Sequence, residues 1–81
     1  MDIATTSLAE RIARVLAAEH LSANAEGSER SAGAEVDACW QNYLGQAGAV
    51  LRTMREPDRK MAAVGDPLVW ERMVLAALEG H

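Results

Sequence analysis

Four basic residues fall within nine positions, Arg52, Arg55, Arg59 and Lys60, with Glu56 and Asp58 between them. If the backbone stays helical through this stretch, Arg52, Arg55 and Arg59 share one face. Beside a helix N-terminus such a set could hold a phosphate or an acidic protein partner, because guanidinium forks and free N–H groups both favour anions. The plainer use is a solvated face with weak local ion pairs. Arg55 or Glu56 would then hold the corner by bonding free helix-end groups. Cys39 is the only cysteine and has no His, Lys or Arg close in sequence to lower its pKa, so it reads as a structural thiol and not a nucleophile. His20 falls near the end of an expected helix, where a partial positive charge suits the dipole, and His81 is terminal. One Cys and two His make no four-ligand zinc set, and a lone Cys makes no disulfide within the chain. Glu56 and Asp58 sit at a helix start, where carboxylates cap rather than catalyse. There is no Gly-rich phosphate loop, no nucleophile elbow and no metal-spaced cluster, and the chain is short for enclosing a pocket. These readings point away from an enzyme and imply no cofactor.

The elements that would position these residues are helices. Residues 7–20 form the first: Ser7 followed by Glu10 fits a capping box, and Leu8, Ile12, Val15 and Leu16 give an apolar stripe. Ile3 can extend that stripe, and Glu10 pairs with Arg14 at i, i+4. A second, long helix over 35–56 carries Val36, Trp40, Tyr43, Leu44, Ala47, Val50, Leu51 and Met54 on one face, and is expected to be the wall on which the rest leans. Glu35 and Asp37 suit its N-terminal dipole, while Gly45 and Gly48 leave a notch that a neighbouring helix could enter, or are tolerated weak points. Pro57 ends it. A short helix follows over 57–64, closed by Gly65 as its C′ residue. Asp66-Pro67 starts the last, 67–79, with Trp70, Met73, Val74, Ala77 and Leu78 inward. Trp40 and Trp70 read as core residues whose indole N–H groups need partners.

Residues 21–34 have no period, with small and polar side chains dominating, and read as a flexible linker or loop. The expected architecture is therefore all-α: a small bundle of three main helices plus one short helix, in a single domain over 1–81. A chain of 81 residues buries only about 60–65% of its unfolded surface, and self-association is the remaining way to stabilise it, which gives a physical motive for a homodimer.

Net charge is −4, divided as −2 over 1–34 and −2 over 35–81. A mildly acidic chain repels nucleic acid at long range. The 57–64 helix, Gly65 and the 67–79 helix have a helix-turn-helix outline, but Glu71, Arg72 and apolar residues are poor readers of base edges. No run of eighteen apolar residues could span a membrane, and no signal peptide is evident. A single cysteine suits a reducing cytoplasm.

From Trp40 to Leu78 the chain resembles a family of short proteins of alphaproteobacteria and of the phages and gene-transfer agents that infect them. The residues that carry the resemblance are Trp40, Tyr43, Met54-Arg55-Glu56-Pro57, Met61, Gly65, Trp70, Met73-Val74 and Ala76-Ala77-Leu78. The segment between Gly65 and Trp70 is shorter than in that family, so a surface built there would be reduced. The resemblance implies a phage or mobile-element setting and no activity. The expected function is a non-enzymatic protein-interaction module, possible partners or anions being met at Arg52, Arg55, Arg59 and Lys60. The alternative is an acidic phage-type inhibitor, anti-CRISPR-like, that blocks a nucleic-acid-binding surface and would need a contiguous acidic face.

Overall fold

The computed structural model describes residues 3–25 and 32–79, which are all-α and contain no strand. In chain order they form α1 (Leu8–Ala25), α2 (Ala32–Cys39), a 3₁₀ turn (Trp40–Tyr43), α3 (Leu44–Met54), α4 (Arg59–Val64) and α5 (Pro67–Glu79).

The start of α1 is capped as its sequence requires, Ser7 Oγ accepting the Glu10 N–H at 3.1 Å. The Glu10 carboxylate takes Arg14 Nε at 2.8 Å, so the reciprocal arm of a capping box gives way to an ion pair one turn on. The helix then runs five residues past His20. Leu21, Ala23 and Ala25 are helix formers, and Leu21 is half-buried. Because α2 starts at Ala32, positions 21–25 and 32–34 of the expected linker are helical. The rest of that linker, 26–31, lies outside the described residues.

The apolar stripe of α1 also differs from expectation. Its most buried positions are Ala9, Ala13 and Ala17, at 2%, 0% and 0% exposure. Spaced four apart, they form one helix ridge with almost no side-chain height, which lets neighbouring backbones approach closely. Leu8, Ile12 and Leu16 flank this ridge half-buried, while Val15 is 60% exposed on the outer side. α1 packs against α2, the 3₁₀ turn, α3 and α5. It, and not the second helix, is the wall on which the other elements lean.

The helix expected over 35–56 is broken into three pieces. Cys39 (φ −130°, ψ 0°) and Tyr43 (φ −104°, ψ 4°) leave α geometry on either side of the 3₁₀ turn. Side chains three apart in a 3₁₀ turn eclipse one another, so Trp40 and Tyr43 both project toward α1. The Trp40 ring lies 5.3 Å from the Arg14 guanidinium, and the Tyr43 ring lies 6.0 Å from that of His20. An unbroken α-helix would turn those two side chains roughly 60° apart. Contacts with α1 therefore override the helical preference of the intervening residues.

The core sits where α1, α3 and α5 meet. Ala9, Leu51 and Val74 are its buried centre, with Ile12, Leu44, Met54, Trp70 and Leu78 among the half-buried residues around them. Leu51 is the single large side chain that is fully buried among the described residues. α4 starts at Arg59 and not at Pro57, because the Asp58 carboxylate accepts the Met61 N–H at 3.0 Å and so fixes the N-cap one residue beyond the proline. Gly65 is extended (φ −155°, ψ −173°), so α4 stops without the left-handed closing turn expected of it. α5 begins as expected: Asp66 Oδ1 accepts the Leu68 N–H at 2.9 Å, and Pro67 occupies the first turn.

The result is open for its size. The radius of gyration is 14.9 Å, against about 12 Å for a compact domain of this length. Its accessible surface is 6200 Å², against roughly 4,700 Å² for a folded monomer of the same mass.

Candidate functional site

The four basic residues singled out in the sequence do not lie on one helix. α3 ends at Met54 and the chain turns through 55–58, so Arg52, Arg55 and Arg59 share no helix face. Arg52 lies back along α3, its guanidinium 3.3 Å from where a Cβ on Gly48 would sit. Arg55 Nε pairs with Glu71 Oε2 of α5 at 3.2 Å. Arg59 and Lys60 are exposed on α4. The free helix end at the corner is met by a different group: Trp70 Nε1 donates to the Met54 carbonyl at 2.6 Å, one of the acceptors that the end of α3 leaves unpaired. Trp70 thus ties α5 to the last turn of α3, and the Arg55–Glu71 pair lies beside that tie.

A second polar hub is structural. Arg14 binds Glu10 through Nε at 2.8 Å and Asp37 through an Nη at 2.6 Å, and it lies over Trp40. It joins α1 to α2 and the 3₁₀ turn. The Asp37 hydrogen bond, then that of Glu10, raises the Arg14 pKa above its ordinary value, so the group stays cationic. Cys39 is free and half-buried nearby. His20 lies inside α1 and not at its end, against Tyr43. No group of three or more His, Cys, Asp or Glu able to hold a metal ion occurs among the described residues. None of their helices is long and apolar enough to cross a membrane.

What the structure does bring together is apolar. On α4 and α5, Val64 is 88% exposed, Leu68 69%, Met73 62%, Val69 45% and Met61 39%. Pro57, Met61, Val69, Trp70 and Met73 line an open groove of about 330 Å³ between the two helices. Trp70, Met73 and Ala77 also border a second groove, of about 550 Å³, whose other wall is Ile3, Thr6, Ser7, Leu8 and Arg11. The two grooves make one apolar band across α5. α4 has almost no contact with the other elements, and among the described residues nothing covers Val64 or Met73. Charge is scarce along it: of the residues lining the groove between α4 and α5, Asp66 alone is ionisable, and its carboxylate is engaged with the Leu68 N–H.

Sequence periodicity missed this face. It assigned Met73 inward together with Trp70, Val74, Ala77 and Leu78; those four do pack at the core, but Met73 is exposed. Val64, Leu68 and Val69 were the available signal. They extend apolar character around the hairpin beyond the width that a single buried stripe needs. The helix-turn-helix outline survives in α4, the Gly65–Asp66 turn and α5. Its outward side chains are nevertheless Leu68, Val69, Met73 and Leu75 beside Arg72, which is no base-reading set. Gly45 and Gly48 border a groove of about 430 Å³ with Leu44 and Arg52 of α3 and Leu78 of α5, and among the described residues no atom of another helix lies within 4 Å of a Cβ at either glycine. No protein-family model, no curated protein and no solved structure matches the chain.

Proposed function

We propose that the chain is a non-enzymatic protein-interaction module that docks through the α4–α5 hairpin. The observation that carries this reading is the exposed set of Met61, Val64, Val69 and Met73 lining the groove. A band of contiguous large apolar side chains on a small chain marks a surface that is covered in use. Trp70, half-buried beneath it with its N–H already engaged, is a rigid floor of the kind that anchors interfaces. The inhibitor alternative rests on the net charge of −4 and requires a contiguous acidic face; three of the acids, Glu10, Asp37 and Glu71, are paired with Arg14 and Arg55. A phage or mobile-element setting rests on the motif resemblance alone.

The test uses Val64→Lys and Met73→Glu, separately and combined. Both positions are exposed, so the variants should fold, with stability changed by no more than about 0.5 kcal/mol. They should bind less of a dye that fluoresces on apolar surface, and should lose whatever partner the wild type retains from a host lysate, a second copy included. Unfolding of the variants would show that the band is core. Capture of nothing by the wild type, or equal capture by all forms, would defeat the reading.

A further inference from the structure

We infer that Met61 and Met73 form a reversible oxidation site, at which a hydroperoxide switches the α4–α5 groove from apolar to polar; this rests on the reading of that groove as a docking surface. The fold separates the methionines of the described residues by access. Met54 is half-buried and packs against the core. Met61 is 39% exposed and Met73 62% exposed. They belong to different helices, α4 and α5, and both line the groove of about 330 Å³. A thioether is oxidised wherever a peroxide reaches its sulfur, with no ionisation needed, so exposure orders the three sites.

The step balances between the two reactants. A sulfur lone pair attacks the outer oxygen of the hydroperoxide, the O–O bond breaks and an S–O bond forms. The sulfur gives up an electron pair, and the hydroperoxide proton goes to the departing oxygen, which leaves as an alcohol or as water. The product is methionine sulfoxide, a polar group that methionine sulfoxide reductases return to the thioether. The groove cannot absorb that change. The one side-chain donor among the residues that line it is Trp70 Nε1, already bonded to the Met54 carbonyl at 2.6 Å. Pro57 and Pro67 offer no N–H, and Asp66 is an acceptor engaged by the Leu68 N–H. A sulfoxide oxygen there finds its hydrogen bonds in water. An apolar occupant would strip that water away and leave the acceptor unpaired, so oxidation at either wall opposes docking.

Hydrogen peroxide titration of the folded full chain tests this. It is read by peptide mass spectrometry and by the fluorescence of anilinonaphthalenesulfonate, which reports open apolar surface. Dithiothreitol after each exposure reverses disulfide and sulfenic oxidation at Cys39 and leaves the sulfoxides in place. Met73 and Met61 should gain oxygen before Met54, with circular dichroism unchanged. Dye fluorescence should fall in step with those two sulfoxides and return after treatment with the reductases. Met61→Leu combined with Met73→Leu conserves apolar volume and should hold its dye fluorescence at the same peroxide dose. Oxidation of Met54 as early as the other two overturns the inference. So does fluorescence that survives full oxidation of Met61 and Met73, or that falls equally in the double variant. Loss of helix on oxidation would place both methionines in the core and overturns it as well. A wild type that binds no dye before peroxide is added overturns the docking reading itself, and the switch with it.

Discussion

Trp70→Phe isolates the tie between α5 and the end of α3. The substitution keeps an aromatic ring in the same place and removes the N–H that reaches the Met54 carbonyl at 2.6 Å. A net hydrogen bond contributes about 0.5–1.5 kcal/mol, and leaving a buried acceptor unpaired costs about 1–3 kcal/mol. Trp70 and Met54 are half-buried, so water reaches the carbonyl in part and the lower half of that range applies, about 1–2 kcal/mol. In a domain of this size each kcal/mol moves the melting temperature by about 4–8 °C, so a drop of roughly 5–15 °C is expected. The comparison is Arg55→Met, which removes a pair whose side chains are 49% and 38% exposed and should cost at most about 1 kcal/mol. Thermal and urea melts followed by circular dichroism give both numbers. The slowly exchanging indole proton should also disappear from the NMR spectrum of Trp70→Phe. If Trp70→Phe melts with the wild type while Arg55→Met falls further, the corner is held by the ion pair, and the role given to the indole is wrong.

Four other outcomes are expected. Leu51→Ala should cost about 2.7–5 kcal/mol, close to the whole stability of a small domain, so it should be largely unfolded at room temperature by circular dichroism. Gly45→Ala should stabilise by about 0.5–1 kcal/mol, because its Cβ meets nothing within 4 Å; a lower melting temperature would mean that the notch is occupied. Arg14→Met should loosen α2 and the 3₁₀ turn from α1, seen as faster amide exchange across 36–43 and a weaker near-ultraviolet signal from Trp40. Because the Arg14 pKa is raised on folding, its contribution is lost as pH rises past the arginine range and is present below that range while the Asp37 and Glu10 carboxylates are ionised; an Arg14-dependent change between pH 6 and 9 would contradict this. Asp58→Ala should cost about 1 kcal/mol locally, with faster exchange confined to α4 and little change in the global melt.

The helical class, the caps at Ser7 and Asp66, and the breaks at Pro57 and Gly65 were legible because they depend on neighbours in sequence, whereas the cap at Asp58 moved the start of α4 beyond Pro57. Periodicity also found Leu51 and Val74. What it could not see was set by contacts distant in sequence. The 3₁₀ turn exists to aim Trp40 and Tyr43 at Arg14 and His20, and a stripe counted along one helix contains no such information. The ridge of Ala9, Ala13 and Ala17 was overlooked because hydrophobic periodicity weights large side chains, whereas close helix approach needs small ones. The basic residues from Arg52 to Lys60 looked like a cluster only on the premise of a continuous helix, and Pro57 removes that premise by turning the chain.

The exposed hairpin has a consequence for how the chain folds. α4 spans six residues, far below the length at which a helix is stable alone in water, and it packs on almost nothing. It is held by the Asp58 cap at one end and by the extended Gly65 and Asp66-Pro67 at the other. Local capping can define such a turn, but it contributes only about 1 kcal/mol, so α4 should open far more often than the core around Leu51. Val64 is 88% exposed and Met61 is covered only in part, so they add little to the hairpin unless something covers them. Amide exchange across 59–64 much faster than in α1 is the expected outcome. Exchange in α4 as slow as in α1 would mean that the hairpin is already stable uncovered.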